Sequence, residues 1–259
     1  MVITAFSFSR KRKLIYNSLP IPFLEVLYED EQYIAVHKPA GMLVHRTKLN
    51  SGERVYAMQV VRDQVGAHVF PVHRLDKPTS GVLLFAKSSE TARAVSELIQ
   101  QHEITKKYAG VVRGWTLDTD TIDYALKERL DKTTDSKART DKPAQDAVTK
   151  YRTIQHIELP YKVGRYATAR YSLVEMIPQT GRKHQLRRHF KHIFHPILGD
   201  RKYGDRDHNA FWLDAYNMRR LCLTATELSF IHPYSGIPVC IKSAPDFPAP
   251  ILEAFEGPN

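Results

Sequence analysis

A chain of 259 residues, 42% hydrophobic and 25% charged, carries enough apolar material for its own core, which excludes extensive disorder and any collagen-like or low-complexity class. Its 38 Lys and Arg outnumber 28 Asp and Glu and leave a net charge of +10, so a polyanionic partner is expected. Two cysteines, Cys222 and Cys240, are too few for a disulfide framework and too far apart for a Cys-x-x-Cys metal site, and no apolar run approaches the roughly 20 residues of a membrane helix; a cytoplasmic, non-membrane protein is expected.

Residues 1–23 carry Arg10-Lys11-Arg12-Lys13, end near Pro20 and Pro22 and hold no signal-peptide apolar core. They read as a flexible basic extension preceding a catalytic-sized domain of residues 24–259. Glu25–Tyr28 and Tyr33–His37 are apolar and β-branched, which predicts two strands split by the turn-like Glu29-Asp30-Glu31. Lys38-Pro39-Ala40-Gly41 then marks a tight loop. Gly81–Ala86 reads as a buried strand, followed by a helix that Ser88 or Ser89 can cap and that places Ala92, Val95, Leu98 and Ile99 on one face. Lys107–Arg113, Asp146–Thr153 and Tyr171–Ile177 have strand composition, whereas Asp131–Lys150 and Leu159–Thr168 read as surface loops around the second of them. From Arg182 to Phe194, Leu186, Phe190, Ile193 and Phe194 recur at helical spacing with basic residues around the rest of the cylinder. No fixed-period repeat is present.

The chain has no Gly-x-x-x-x-Gly-Lys phosphate loop, no Gly-x-Gly-x-x-Gly fingerprint and no Gly-x-Ser-x-Gly elbow, so nucleotide-driven and redox chemistry lose weight. Two segments remain that can carry chemistry. In His73-Arg74-Leu75-Asp76-Lys77-Pro78-Thr79-Ser80-Gly81, one carboxylate lies between cations in a loop made stiff by Pro78 and by the hydroxyls of Thr79 and Ser80. Read alone, that segment fits a turn entering a strand as well as it fits an active site. Gln179–His189 and His195–Asp200 form the second segment, where eight cations from Arg182 to Arg206 face only Asp200 and Asp205, as a phosphate-facing surface requires. His184, His189, His192 and His195 lack a Cys or Glu at ligand spacing and sit among cations, so no metal is expected.

His-Arg-Leu-Asp-x-x-Thr-Ser-Gly, with Lys-Pro-x-Gly upstream and Gly-Arg-x-His-Gln-Leu-Arg downstream, resembles the RluA branch of the pseudouridine synthases from about Leu24 to Ile241. The resemblance implies a single α+β catalytic domain, a mixed and mostly antiparallel sheet with flanking helices, and isomerisation of a uridine in RNA without metal or organic cofactor. It implies that Asp76 acts at the ribose, that Arg187 pairs with it, and that Tyr108 stacks on the target base while its hydroxyl helps remove the C5 proton. By the same resemblance Arg74 fills the space vacated by the extruded base. Lys38, Arg182, Lys183 and Arg188 are assigned to phosphate contacts. His68-Val69-Phe70 and Gln145–Thr149 resemble the branch acting on tRNA at uridine 65. The alternatives are the same chemistry on ribosomal RNA, a non-catalytic RNA-binding protein, and a metal-dependent nuclease using the histidines. A monomer is expected.

Overall fold

The structure, a computed structural model, describes residues 23–45, 55–128 and 143–256. Residues 1–22 of the basic extension, and most of the Asp131–Lys150 loop, lie outside the described residues.

Strands β1 (Val26–Glu29) and β2 (Tyr33–Lys38) pair antiparallel around Asp30, whose carboxylate accepts the amides of Gln32 and Tyr33 at 2.8 and 2.6 Å and so closes the predicted turn. Helix α1 (Ala57–Val65) stops at Gly66, and the short β3 (Phe70–Pro71) leads towards β4 (Ser80–Ala86). Every residue of β4 is buried, as its apolar run demands of a strand covered on both faces. Helix α2 (Ser89–Gln100) opens on Ser88, the predicted cap: the Ser88 hydroxyl accepts the Thr91 amide, and the Thr91 hydroxyl accepts the Ser88 amide, each at 3.1 Å.

The chain continues through β5 (Thr105–Arg113), β6 (Thr119–Asp123), β7 (Val148–Leu159), β8 (Ala169–Pro178), α3 (Gln185–His192), α4 (Arg206–Tyr216), β9 (Leu223–Ile231), β10 (Pro238–Lys242) and α5 (Ala249–Glu256). One mixed sheet runs in the order β1-β2-β4-β9-β5-β8-β7-β6, with β3 beside β4 and β10 beside β9. All its ladders are antiparallel except β4 with β9, which touch in parallel only at Ser80 with Thr224 and Gly81 with Ala225. That contact leaves no room for a side chain. A Cβ on Gly81 would stand 2.1 Å from the Ala225 carbonyl oxygen, at a φ of +103° that only glycine adopts readily. The expected α+β architecture is therefore what forms.

Four apolar clusters fill the two faces of the sheet. Leu83 and Phe85 of β4 pack with Val60 and Val61 of α1, while Val82, Leu84 and Ala86 pack with Val95 of α2 on the opposite face. The β5-β8-β7 half of the sheet is covered by Trp212 of α4 and Ile251 of α5 in one cluster, and by Leu186 and Phe190 of α3 in another. Tyr108 packs against clusters from both halves and so stands at the seam.

Two expectations need correction. The predicted helix from Arg182 begins later, because residues 182–184 form a turn in which His184 adopts φ 56°. Phe194, assigned to its apolar face, is 79% exposed at φ 63°, past the helix end; only Leu186 and Phe190 carry the packing, with Ile193 half-buried. His195-Pro196 explains the early stop, since proline disfavours helical backbone at the residue before it.

Candidate active site

The Asp76 loop is tied down from several sides before its carboxylate enters any chemistry. The Thr79 amide returns to the Asp76 carbonyl at 3.0 Å, Leu75 is buried under α1, and His73 Nε2 accepts the Leu84 amide at 3.0 Å. That last bond fixes the His73 proton on Nδ1. Burial, with the charge of Lys106 adding to it, pushes the pKa of this imidazole down to about 3.

Lys38 was expected on phosphate, and the structure overturns this. Lys38 is 0% exposed, and its ammonium donates to the carbonyls of Pro39, Met42 and Lys77 at 2.9, 2.8 and 3.3 Å. It fastens the Pro39–Met42 loop to the loop of Asp76, together with the Gly41 amide, which reaches the Lys77 carbonyl at 2.8 Å. Burial pulls the Lys38 pKa down to about 7 against the raising effect of Asp76 and Asp246.

Beyond Ser80, a second polar knot holds the start of β4. Arg220 and Thr224 donate to the Asp246 carboxylate at 2.8 and 2.9 Å, Ser80 bonds to it as well, and His37 lies 3.3 Å away. Burial would raise the Asp246 pKa, and these partners together hold it well below the usual carboxylate range.

Facing this loop, α3 delivers Arg187, 6% exposed. Its Nη1 donates to Asp76 Oδ2 at 2.9 Å. Its Nε and Nη2 make a fork on Asp200, at 2.6 Å to Oδ2 and 2.9 Å to Oδ1. Asp200, 1% exposed, also accepts the amides of Lys202 and Tyr203 at 2.9 and 3.0 Å. Burial opposes its charge, but Arg187 and these amides hold the Asp200 pKa down; reciprocally, and against its own burial, Asp200 and Asp76 keep Arg187 charged. In the sequence Asp200 stands only as one of two counter-charges among eight cations. Its signal was its position in a Gly199-Asp200 turn: a Cβ on Gly199 would meet the Arg220 carbonyl oxygen at 1.9 Å, so the backbone there is packed against another chain segment.

Gln185 explains how α3 is aimed. Its side-chain oxygen accepts from Thr180 Oγ1 and the Arg182 amide at 2.7 and 2.9 Å, and its side-chain nitrogen donates to the Val148 carbonyl and Thr149 Oγ1, both at 3.0 Å. A buried amide with all its bonds made fixes the helix start against β7. His184, just before it, bonds through Nδ1 to the Tyr203 hydroxyl at 2.9 Å and brings Nε2 to 3.8 Å from Asp76 Oδ1.

The remaining histidines go elsewhere. His189 bonds Thr149 Oγ1 and the Tyr124 carbonyl, His192 stacks on Tyr124, and His195 bonds the Arg113 carbonyl. Among the described residues no group of three or more His, Cys, Asp or Glu could hold a metal ion.

Asp76 and Tyr108 border a cleft of about 860 Å³, whose wall also includes Arg74, Arg182, Lys183 and Arg188. Arg74 and Arg182 are exposed, and Lys183 and Arg188 are half-buried. Burial, reinforced by the Asp76 charge, raises the Tyr108 pKa, so this phenol stays protonated at neutral pH. The sequence thus brings Asp76, Arg187 and Tyr108 to one cleft with Arg74, Lys106, Lys127, Arg182, Lys183 and Arg188 in its wall, and leaves Lys38 behind the loop.

The family model described as RNA pseudouridylate synthase matches residues 32–192, a span that contains all three. A protein of Vibrio cholerae serotype O1 named tRNA pseudouridine synthase C is 52% identical over 223 residues, covering 86% of this chain and 91% of that protein. One of the same name from Haemophilus ducreyi is 54% identical over 210 residues, covering 81% and 86%. Among solved structures, human RNA pseudouridylate synthase domain containing 1 aligns over 92% of this chain and 90% of its own with a TM-score of 0.68 at 23% identity. Human RNA pseudouridylate synthase domain containing 4 gives 0.63 at 25% identity, over 88% and 90%. A matched span of well over half the chain, and relatives identical at half their positions across most of it, place this chain in the RNA pseudouridylate synthase family, whose members isomerise uridine in RNA.

Proposed function

We propose that this chain converts uridine to pseudouridine in tRNA, with uridine 65 as its target and residues 24–259 as one catalytic unit. The observation that carries the reading is a carboxylate held by a guanidinium at the wall of a cleft: Arg187 donates to Asp76 Oδ2 at 2.9 Å, and Asp76, Arg187 and Tyr108 all border that cleft. The substrate follows from the tRNA-modifying relatives.

The target nucleotide is first swung out of its stack, at about a few kcal/mol, and its base is received against the ring of Tyr108. Arg74 then fills the gap left behind, a role supported by its exposure at the cleft wall. Asp76 then acts at the ribose, either attacking C1′ or taking a proton from C2′, and the bond from C1′ to N1 breaks as the uracil leaves with its electron pair. Both routes use the carboxylate in its charged form, and Arg187 sets beside it a charge that cannot be lost. The uracil turns and C5 bonds to C1′, as Asp76 either leaves C1′ with its electron pair or returns its proton to C2′, and loss of the C5 proton restores the ring. Tyr108, protonated at neutral pH, serves as the wall and a hydrogen-bond donor during this rotation rather than as the primary acceptor of that proton.

Tritium release from RNA labelled at C5 of uridine tests the chemistry. Wild type should release it from tRNA, and Asp76→Asn should fall to background while still binding RNA; equal release by both would reject Asp76 as the acting group. Comparing tRNA with ribosomal RNA, and mapping the product, tests the substrate. Product in ribosomal RNA alone, or at another tRNA position, replaces the target proposed here.

A further inference from the structure

We propose that His184 recognises the ribose 2′-hydroxyl of the target nucleotide, jointly with Asp76, and thereby makes the site selective for ribo- over deoxyribonucleotides. The inference deepens the reading above and rests on it.

The geometry is that of a hydroxyl-sized gap. His184 Nε2 and Asp76 Oδ1 stand 3.8 Å apart, too far for a hydrogen bond between them, and both residues border the cleft. An oxygen placed about 2.8 Å from each atom bridges that gap with ordinary bond lengths on both sides. A hydroxyl fits the two partners chemically, since it can donate to the carboxylate and accept from a ring N–H at once.

The ring is fixed to offer that N–H. Tyr203 OH lies 2.9 Å from Nδ1, and with the Tyr203 proton on that bond the imidazole carries its own hydrogen on Nε2. The opposite tautomer would point a lone pair at the Asp76 carboxylate, which electrostatics disfavours. Burial lowers the His184 pKa; the Asp76 charge opposes this, and Arg187, Lys202 and Lys183 add to the fall. The ring is therefore neutral at neutral pH, a donor with a single direction. His184 is held in a left-handed backbone conformation, φ 56°, which costs a non-glycine residue energy and turns the ring towards Asp76 rather than along the helix. The other carboxylate oxygen is already taken by Arg187, so Oδ1 is the atom left to meet the sugar. The 2′-hydroxyl is also the group by which a protein tells RNA from DNA at a single position.

The test is a two-by-two comparison of single-turnover rates. Wild type and His184→Phe are each given tRNA carrying uridine, or 2′-deoxyuridine, at the modified position. Wild type should process the deoxy substrate about 100-fold more slowly, having lost one bond to a carboxylate and one to a neutral ring. In His184→Phe the uridine substrate should slow by about tenfold while the deoxy penalty shrinks to about tenfold, because the ring bond is already gone. Dividing the penalty of one enzyme by that of the other cancels any intrinsic effect of the missing hydroxyl on the glycosidic bond, which is common to both. His184→Leu repeats the measurement should the Phe variant not fold, with circular dichroism confirming the fold of whichever is used. A penalty unchanged from wild type in the folded variant, meaning both substrates slow alike, overturns the inference and reduces His184 to a packing role. So does equal use of both substrates by wild type. Failure of wild type to convert the all-ribose tRNA at all would instead remove the proposed function, and this inference with it.

Discussion

Asp200 shows why a buried charge has to be read with all of its partners. An arginine given wholly to Asp76 would be free to swing with it; the fork on Asp200 fixes the guanidinium plane and leaves Nη1 for the reacting carboxylate. Asp200→Asn keeps the shape but replaces one acceptor oxygen by a donor amide, facing an arginine that cannot deprotonate. We expect kcat to fall by about 100-fold or more, with RNA affinity within about threefold of wild type, since Asp200 lies outside the cleft wall. Single-turnover rates and filter-binding affinities separate the two; a loss confined to affinity would contradict the positioning role.

Lys38 makes the complementary case. Its three carbonyl partners lose their donor in Lys38→Met, which should cost about 1–3 kcal/mol in urea unfolding and leave RNA affinity nearly untouched. The pH dependence follows from the lowered pKa. Between about 7, where the folded lysine begins to lose its proton, and about 10.4, where the unfolded one does, the unfolded state binds more protons. Wild-type stability relative to Lys38→Met should accordingly rise with pH across that window and be flat below it, and a difference that falls with pH would contradict the lowered pKa. The Lys-Pro-x-Gly pattern was legible as a site element, but its lysine's role was not, because sequence shows a charge without showing which way it points.

At the scale of elements, what could be read was whatever carries a local signature. The Ser88-Ser89 pair before an apolar face announces α2, the uninterrupted Gly81–Ala86 run announces β4, and Asp30 announces its turn. Helices α1, α4 and α5 and strands β9 and β10 carry no chemistry-bearing motif, and their identity depends on tertiary partners: Ala225 of β9 is placed by its contact with Gly81 across about 144 residues of intervening chain. That contact has a consequence for function. Gly81→Ala would drive a methyl into the Ala225 carbonyl and impose a backbone conformation alanine resists. It should therefore destabilise the fold by about 3 kcal/mol or more and displace the Asp76 loop five residues upstream. Thermal unfolding monitored beside tritium release checks this; an alanine variant with wild-type melting temperature would mean that β4 and β9 do not approach as closely as described. Helix α3 was misplaced by one turn for a related reason. The 182–194 pattern has helical period throughout, but Gln185 bonds to Thr180 and to β7 in a way that ends the preceding turn only at His184, and Pro196 cuts the far end short.

Across the whole molecule, charge and shape divide the labour of binding and reaction. The net charge of +10 is readable at once and points to a polyanion, but where that charge acts depends on the fold: the cleft wall takes Lys106 and Lys127 as well as the predicted Arg74, Arg182, Lys183 and Arg188, while Lys38 is spent inside. Arg182 is exposed at the cleft wall and bonds through Nε to the Asp146 carbonyl at 3.0 Å, a bond that does not use the outer nitrogens of its guanidinium, the ones a phosphate would meet. Each phosphate so neutralised releases condensed counterions, so RNA affinity should fall steeply as salt rises. Removing one such contact should weaken binding and flatten the plot of log affinity against log salt by about one unit. The reacting groups behave differently. Asp76, Arg187 and Asp200 form a bonded network in which two members are buried, and salt screens such pairs far less than it screens surface charge. At saturating RNA the turnover rate should therefore change little between about 50 and 200 mM salt, although the concentration needed to saturate rises by orders of magnitude. Arg182→Ala should reproduce that split without added salt, with weaker binding, a shallower salt slope and a near-normal single-turnover rate. A variant whose rate collapses while its salt slope stays at the wild-type value would move Arg182 from the binding surface into the reacting network.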